Sequence, residues 1–348
     1  MRASSRKIAL SVAVLAAVVV PTALAGAGTR AAGPAGSLVF VKAGRVYAAR
    51  ADGSQARPVT SGGNGWAWPS ETDSGIIAVA GGRSRIVKGF NPSGSDEIYE
   101  FNQHGKQLHG PVPTQGSYST VNDPEYVTHF RVAPDNSYVA WTDISSFTDP
   151  FASWRKPNGV GSFRTAGKPP LPYSTPEWWG PKHLLITHDG TTIGSQAEYA
   201  VYSLLTGSSP GWSGDDAIGD ASAYQVTISR NGLKFAVETD DAPDRGGRVH
   251  SIAITLETTA TPPVSSDITN THCTITLPAS RFATNHGSSL LSMSFSADGS
   301  TLAWGQDDGI YEANVANPSD CATVTRSVHR IVPGGSMPFL GKAPLSRR

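Results

Sequence analysis

The sequence predicts an all-β protein, a six-bladed β-propeller of four-stranded antiparallel blades whose ring is closed by pairing the N- and C-terminal strands. Three observations favour this fold. The chain of 348 residues contains 37 Gly and 25 Pro, a composition that suits short strands joined by tight turns. A unit of two apolar alternations around a polar turn recurs along the chain. The first and last predicted strands complement each other as parts of one blade.

The clearest copy of the repeated unit is "LSMSFSADGSTLAWG", residues 291–305. Its apolar residues alternate with serines, which is the period of a half-buried strand. Asp298 and Gly299 then favour a hairpin, because the Asp side chain can accept a hydrogen bond from the backbone ahead and Gly tolerates positive φ. "TLAWG" is the predicted returning strand. Similar units occur at 66–82, 130–143, 175–190 and 226–240.

A predicted third strand with aromatic or β-branched residues follows four of these units, at 96–106, 198–207, 248–257 and 309–315. The spacing suits one propeller blade per unit, with extra residues in a loop at 81–96 and a Thr/Pro/Ser-rich insertion at 258–289. Segment 37–63 supplies a second, third and fourth strand, and segment 334–344 supplies a first strand. Joined, these two segments form the sixth blade and hide the sheet edges.

The repeated residues resemble those of the TolB-type six-bladed β-propellers, whose repeat reads approximately Ser-Pro-Asp-Gly, an apolar pair, an aromatic residue and then Ile-Tyr. The matching positions are Ser296, Asp298, Gly299, Leu302, Ala303, Trp304, Ile310 and Tyr311 in one unit and Pro134, Asp135, Val139, Ala140 and Trp141 in another. Segment 51–63 is similar to the family's hairpin between third and fourth strands. The resemblance covers about residues 37–342 and implies the propeller fold. It implies little about activity, because the motif residues are turn and core positions.

The N-terminal segment is typical of an exported protein. Residues 1–25 read as a signal peptide, because basic residues precede an apolar run and small residues precede Gly26. The alternative, a membrane anchor, is disfavoured because that run is shorter than the roughly 20 residues needed to span a bilayer. Residues 26–36 are a predicted disordered leader, and the propeller occupies 37–344 as a single domain. We therefore expect an extracellular or periplasmic protein with no membrane span after processing.

Cysteine usage and charge limit the possible partners and cofactors. Cys273 and Cys321 are the only cysteines, and in an exported chain they predict a disulfide. Lys plus Arg and Asp plus Glu number 28 each, so no overall attraction to nucleic acid is expected. The pentapeptide 207–211 fits Gly-x-Ser-x-Gly but lacks the strand–turn–helix context of a nucleophile. The His and Cys spacings match no metal motif, so no catalytic residue or cofactor is predicted.

Carboxylates follow several of the predicted second strands. They are Asp143, Asp189, Asp240, Asp241, Asp307 and Asp308. Because they share one position in the repeat, these carboxylates are predicted to lie on one face of the ring, around the mouth of the central channel. Calcium or a polar ligand could bind there. The alternative is that Asp begins turns well.

The same face carries the two longest predicted loops. Loop 81–96 contains Arg83 and Arg85, and loop 143–162 contains Trp154 and Arg155. Loops on a rigid scaffold often carry recognition, and Trp and Arg are favoured interface anchors, although loop aromatics also cover blade edges.

The predicted function is therefore a secreted, non-enzymatic propeller that binds a protein or cell-envelope component through this loop-bearing face. The alternative is a metal-dependent carbohydrate- or lactone-acting enzyme with an acidic site at the channel mouth. A third interpretation is an envelope scaffold without a discrete ligand face.

Overall fold

The computed structural model describes residues 36–62, 65–81, 97–114, 126–144, 151–158, 164–165, 175–188, 198–203, 222–241, 249–256, 271–277 and 292–347. The predicted signal peptide 1–25 and the predicted leader, apart from Gly36, lie outside these residues. The first strand begins at Ser37, the residue at which the sequence predicted the start of the propeller.

The described strands form six antiparallel sheets, which we call blades 1 to 6. Blade 1 contains β23 (Gly335–Gly341), β1 (Ser37–Lys42), β2 (Arg45–Arg50) and β3 (Arg57–Pro58). Blade 2 contains β4 (Ala67–Glu71), β5 (Ile76–Gly81), β6 (Glu97–Asn102) and β7 (Gln107–Pro113). Blade 3 contains β8 (Tyr126–Val132), β9 (Val139–Ile144), β10 (Phe151–Arg155) and β11 (Arg164–Thr165).

The second half of the ring repeats this order. Blade 4 contains β12 (Thr175–Trp179), β13 (His183–His188) and β14 (Glu198–Ser203). Blade 5 contains β15 (Ser222–Ile228), β16 (Lys234–Asp241), β17 (Val249–Leu256) and β18 (Thr271–Thr276). Blade 6 contains β19 (Met293–Phe295), β20 (Thr301–Gln306), β21 (Gly309–Asn314) and β22 (His329–Pro333). Five blades thus have the predicted four strands, and blade 4 has three within the described residues.

Blade 1 closes the ring as the sequence predicted. Strand β23 pairs antiparallel with β1, so that Ser37 lies opposite Gly341 and Leu38 lies opposite Leu340. Both leucines are buried. The N- and C-terminal strands therefore share one sheet, which confirms the predicted closure.

The hairpins between first and second strands form for the reason given by the sequence. Asp298 Oδ1 accepts a hydrogen bond from the Ser300 amide at 3.0 Å, and Gly299 has φ +68°. Asp135 accepts in the same way from the Ser137 amide at 2.9 Å. A short polar side chain that bonds two residues ahead fixes each turn, so equivalent hairpins recur around the ring.

Two segments predicted as a loop and an insertion instead contribute strands. Within 143–162, β10 pairs with β9, placing Phe151 opposite Asp143 and Arg155 opposite Val139. Within 258–289, β18 pairs with β17 as the outer strand of blade 5. Both strands are short, and β18 is rich in Thr, so their pairing partners define them more than their own apolar pattern does.

The cysteines form the predicted disulfide. The Cys273–Cys321 bond has an S–S distance of 2.05 Å and a Cα–Cα distance of 4.9 Å. Cys321 begins the helix α1 (Cys321–Ser327), where Asp320 caps the helix by accepting from the Thr323 amide. Within the described residues, no helix combines the length and the apolar character needed to cross a membrane.

Candidate functional site

The blades define two faces of the ring. On the first, which we call the hairpin face, the first-to-second-strand hairpins contact one another: the Asp73 amide donates to Pro134 O at 2.8 Å, and Lys234 Nζ donates to Gly299 O at 2.8 Å. The opposite face carries the connections between second and third strands. This is the loop-bearing face of the sequence prediction.

Several of the predicted Asp residues occupy backbone positions on this side of their strands. Asp143 lies near the end of β9, and Asp240 and Asp241 end β16. Asp307 and Asp308 are exposed in the turn between β20 and β21. Because β9, β16 and β20 are equivalent second strands, these positions share the loop-bearing face.

Asp308 forms a hydrogen-bonded ion pair beside this turn. Asp308 Oδ2 accepts from Tyr311 Oη at 3.0 Å and from Arg330 Nη1 at 2.7 Å. Both partners belong to blade 6, so this exposed ion pair is local to its blade. Asp189, Arg83 and Arg85 lie outside the described residues.

Trp154 and Arg155 do not lie in a surface loop. Trp154 is 2% exposed and packs with Trp178, Ala140 and Leu184 between blades 3 and 4. Arg155 is partly buried at the end of β10, and this burial lowers the pKa of its guanidinium. The burial of Trp154 favours the alternative given by the sequence, in which aromatic residues of this segment cover a blade, over a surface anchor.

The central channel is filled by side chains of the first strands. Arg131 Nε donates to Glu177 Oε2 at 3.0 Å, which joins blades 3 and 4. Arg131 Nη2 donates to Ser292 Oγ at 2.7 Å, next to the first strand of blade 6. The guanidinium also lies 5.7 Å from the centre of the Phe339 ring of blade 1. One Arg side chain therefore contacts four blades.

Little free space remains around this ion pair. Two cavities lined by first-strand residues have volumes of about 20 Å³ and about 10 Å³, which is the space of a single water. Burial raises the pKa of Glu177, and the charge of Arg131 opposes this shift. The two cavities beside this ion pair are therefore too small for an organic ligand.

The hairpin-face end of the channel carries a second polar cluster. Glu71 is fully buried and accepts hydrogen bonds from Ser37 Oγ and from Gln103 Nε2. Burial raises its pKa to about 7, against the opposing effects of these hydrogen bonds and of the Arg230 charge. Arg230 pairs directly with Asp73, which links the hairpins of blades 5 and 2 across the channel mouth.

Sequence reasoning did not identify these channel residues. Arg131 and Glu177 are charged residues inside predicted first strands, "FRV" and "PEWW". A charged side chain at a buried strand position requires a partner, which is the signal that could have paired them. Glu71 and Arg230 lie beside the turns, where charged residues are common, so no comparable signal marks them.

The described side chains contain no group of three or more His, Cys, Asp or Glu residues placed to hold a metal ion. The side chains of Asp143, Asp189, Asp240 and Asp241 are outside this set, so the possibility of calcium at the six predicted carboxylates stays a prediction.

The fold and channel define the class of the protein: it is a β-propeller whose ring is closed by strands from both termini. No protein-family model matches the sequence, and no curated protein matches it in a sequence search. In structure, the chain is similar to TolB from Acinetobacter baumannii, with a TM-score of 0.58 and 15% identity, over 88% of this chain and 66% of that protein. The fold is thus that of a TolB-like β-propeller.

Two further solved structures align less closely. A putative TolB from Agrobacterium tumefaciens has a TM-score of 0.49 and 12% identity, over 89% of this chain and 93% of that one. The GH74 enzyme of Niastella koreensis has a TM-score of 0.45 and 10% identity, over 85% of this chain and 45% of that one.

Proposed function

We propose that this chain is an exported, non-enzymatic TolB-like propeller that binds another protein or a cell-envelope component through its loop-bearing face. The observation that carries the proposal is the common position of Asp143, Asp240, Asp241, Asp307 and Asp308 at the ends of three second strands. A face that collects carboxylates favours a partner segment rich in Lys or Arg, because complementary charge speeds association and excludes wrong partners.

The filled channel supports binding on a face of the ring. The Arg131–Glu177 ion pair is buried and contacts several blades, so displacing it would leave a buried charge unpaired. A partner is therefore expected to lie against the ring without inserting into the described channel. Surface connections on a rigid scaffold suit this mode of binding.

Two features support export. The disulfide between Cys273 and Cys321 is of the kind that persists in oxidising compartments. The basic and apolar composition of residues 1–25 matches a secretory signal.

The Asp307→Asn/Asp308→Asn double variant tests the proposed face. Immobilised protein is incubated with an envelope extract of the producing cell, and bound proteins are quantified by mass spectrometry. We expect the variant to lose a partner that the wild type retains, because two exposed carboxylates are neutralised while the hydrogen-bond acceptors remain. Asp135→Asn, an exposed change on the hairpin face, is the matched control and should retain the partner. Equal recovery by all three proteins would contradict binding through this face.

A calcium chloride titration of the purified chain tests the proposal that no cofactor is required. We expect no saturable heat in isothermal titration calorimetry. Saturable binding that disappears in the Asp307→Asn/Asp308→Asn variant would instead support a metal site at the channel mouth and the enzymatic alternative.

A further inference from the structure

A cleft of about 420 Å³ lies beside the hairpin face, between blades 2, 3 and 4. Its floor contains Glu100 of β6 and Asn136 of the blade 3 hairpin. Its rim contains Lys156, just after β10, and Lys182 of the blade 4 hairpin. The volume lies in the range typical of small-molecule sites. The cleft is formed by the hairpin side of the ring, so it is separate from the loop-bearing face.

The floor of the cleft has two buried acceptors without partners. Glu100 is 1% exposed, and within the described residues its Oε1 accepts no hydrogen bond. The same holds for Asn136 Oδ1. The His109 ring lies beside Glu100, with its Nε2 4.0 Å from Glu100 Oε2. Burial raises the pKa of Glu100, and the neighbouring Asn136 side chain and His109 oppose this shift.

Unpaired buried acceptors destabilise a fold, and those of native proteins call for an explanation such as an absent ligand. A ligand with hydroxyl groups would satisfy both oxygens, because each hydroxyl donates one hydrogen bond. Both oxygens lie below the surface of the cleft, so the proposed contacts require the side chains at its floor to move.

The rim has the opposite chemistry. Lys156 and Lys182 are exposed, and neither forms an ion pair within the described residues. Two ammonium groups at one opening favour an anionic group on the ligand. The Tyr138 ring also lines the cleft and supplies an apolar surface on which a ring with axial C–H groups can pack.

We propose that this cleft binds an acidic sugar unit, a hydroxylated ring that bears one carboxylate. Its hydroxyl groups donate to Glu100 Oε1 and Asn136 Oδ1, and its carboxylate lies between Lys156 and Lys182. Two hydroxyl donors of the ligand thus meet two acceptors at the floor, and the negative charge of the ligand lies against the two lysines of the rim.

The test uses the full chain and titrates D-glucuronate, D-glucose and acetate by isothermal titration calorimetry at low salt. Glucuronate should bind more tightly than either of the others, since glucose lacks the carboxylate and acetate lacks the hydroxyl groups. Absence of glucuronate binding at about 20 mM, a concentration above that of weak specific sites, would overturn the proposal. Equal affinity for glucose or for acetate would also overturn it.

Three variants assign the binding to the cleft, each checked for folding by circular dichroism. Lys156→Met/Lys182→Met should weaken glucuronate binding about fivefold to tenfold, the effect of losing two exposed charge pairs. Glu100→Gln, which is isosteric, should weaken it about fivefold, since charged acceptors form the stronger hydrogen bonds. Lys106→Met, an exposed change away from the cleft, is the control and should bind as the wild type does. Unchanged affinity in either cleft variant would place the sugar elsewhere and refute the site.

Discussion

Replacing Glu71 with Gln should remove a pH-dependent loss of stability from the closed ring. The Glu71 carboxyl is fully buried, with Gln103 Nε2 donating to Oε1 at 2.7 Å and Ser37 Oγ donating to Oε2. Gln fills the same volume. It can accept from Gln103 through its oxygen and donate to Ser37 through its amide, because a hydroxyl is both donor and acceptor. The change therefore removes the ionisation and keeps the contacts.

The size of the effect follows from the raised pKa. Burial moves the pKa of Glu71 from 4.5 to about 7 in the folded protein. The protonated form is therefore favoured by folding, and its contribution is complete below pH 4.5 and disappears as the pH rises through 7. A pKa difference of roughly 2.5 between the folded and unfolded states corresponds to about 3 kcal/mol of unfolding free energy. The wild type should lose this amount between pH 4.5 and pH 8, beyond the changes caused by other groups.

The assay is urea unfolding of the wild type and of Glu71→Gln at pH 5, 6, 7 and 8. The difference between the two proteins cancels the other titrating groups. We expect the stability of the variant relative to the wild type to increase by about 2–3 kcal/mol from pH 5 to pH 8. Asp135→Asn, which neutralises an exposed carboxyl on a hairpin, serves as the control and should not reproduce this trend. A constant difference, or a gain that grows as the pH falls, would refute the assignment.

Two further predictions concern the ring itself. Arg131→Met leaves the Glu177 carboxylate buried without its partner, so urea unfolding should show that the unfolding free energy falls by about 3–5 kcal/mol. The double variant Arg131→Met/Glu177→Gln should restore part of this stability. A decrease below about 1 kcal/mol in the single variant would contradict a stabilising role of the ion pair. Gly232→Ala should lower the melting temperature more than Gly180→Ala. Both glycines have positive φ, near +72° and +66°, but an added Cβ at 232 would lie 2.6 Å from Trp179 Nε1, whereas at 180 it meets no atom within 4 Å. If both variants lose the same unfolding free energy, about 1–2 kcal/mol from holding Ala at positive φ, the contact with Trp179 makes no steric contribution.

The fold was predictable because its signals are local. Asp298 and Asp135 fix hairpins through hydrogen bonds that span two residues, and alternating apolar residues on either side determine which face of each strand is buried. Repetition of this pattern indicates the number of blades. The closing strand β23 could be assigned because segment 37–63 had no first strand of its own.

The channel and the outer strands were less predictable because they depend on distant partners. Arg131 and Ser292 are 161 residues apart in sequence, and no local pattern pairs them. Strand β10 has only five residues, too few for a clear alternating pattern, and its pairing with β9 defines it. The sequence left open whether Trp154 is an interface anchor or covers a blade edge, because its burial depends on contact with Trp178 and Leu184 of blade 4.

Ring closure combines an apolar and a polar requirement. Pairing of β1 with β23 buries Leu38 and Leu340 but would tolerate other registers, because both strands are largely apolar. The register is restricted by hydrogen bonds at the first residue of β1, where Ser37 donates to the buried Glu71.

The same polar network fixes the segment that follows β23. Gln103 donates to Glu71 and accepts from the Ser346 amide at 2.6 Å, and Arg57 donates to both Gln103 O and Ser346 Oγ, at 3.1 and 2.8 Å. A slip of one residue between β1 and β23 would separate Ser37 from Glu71 Oε2 or the Ser346 amide from Gln103 Oε1, and each buried acceptor that loses its donor is unfavourable by about 1–3 kcal/mol. Apolar burial therefore drives the two ends together, and this buried network selects the register in which they join.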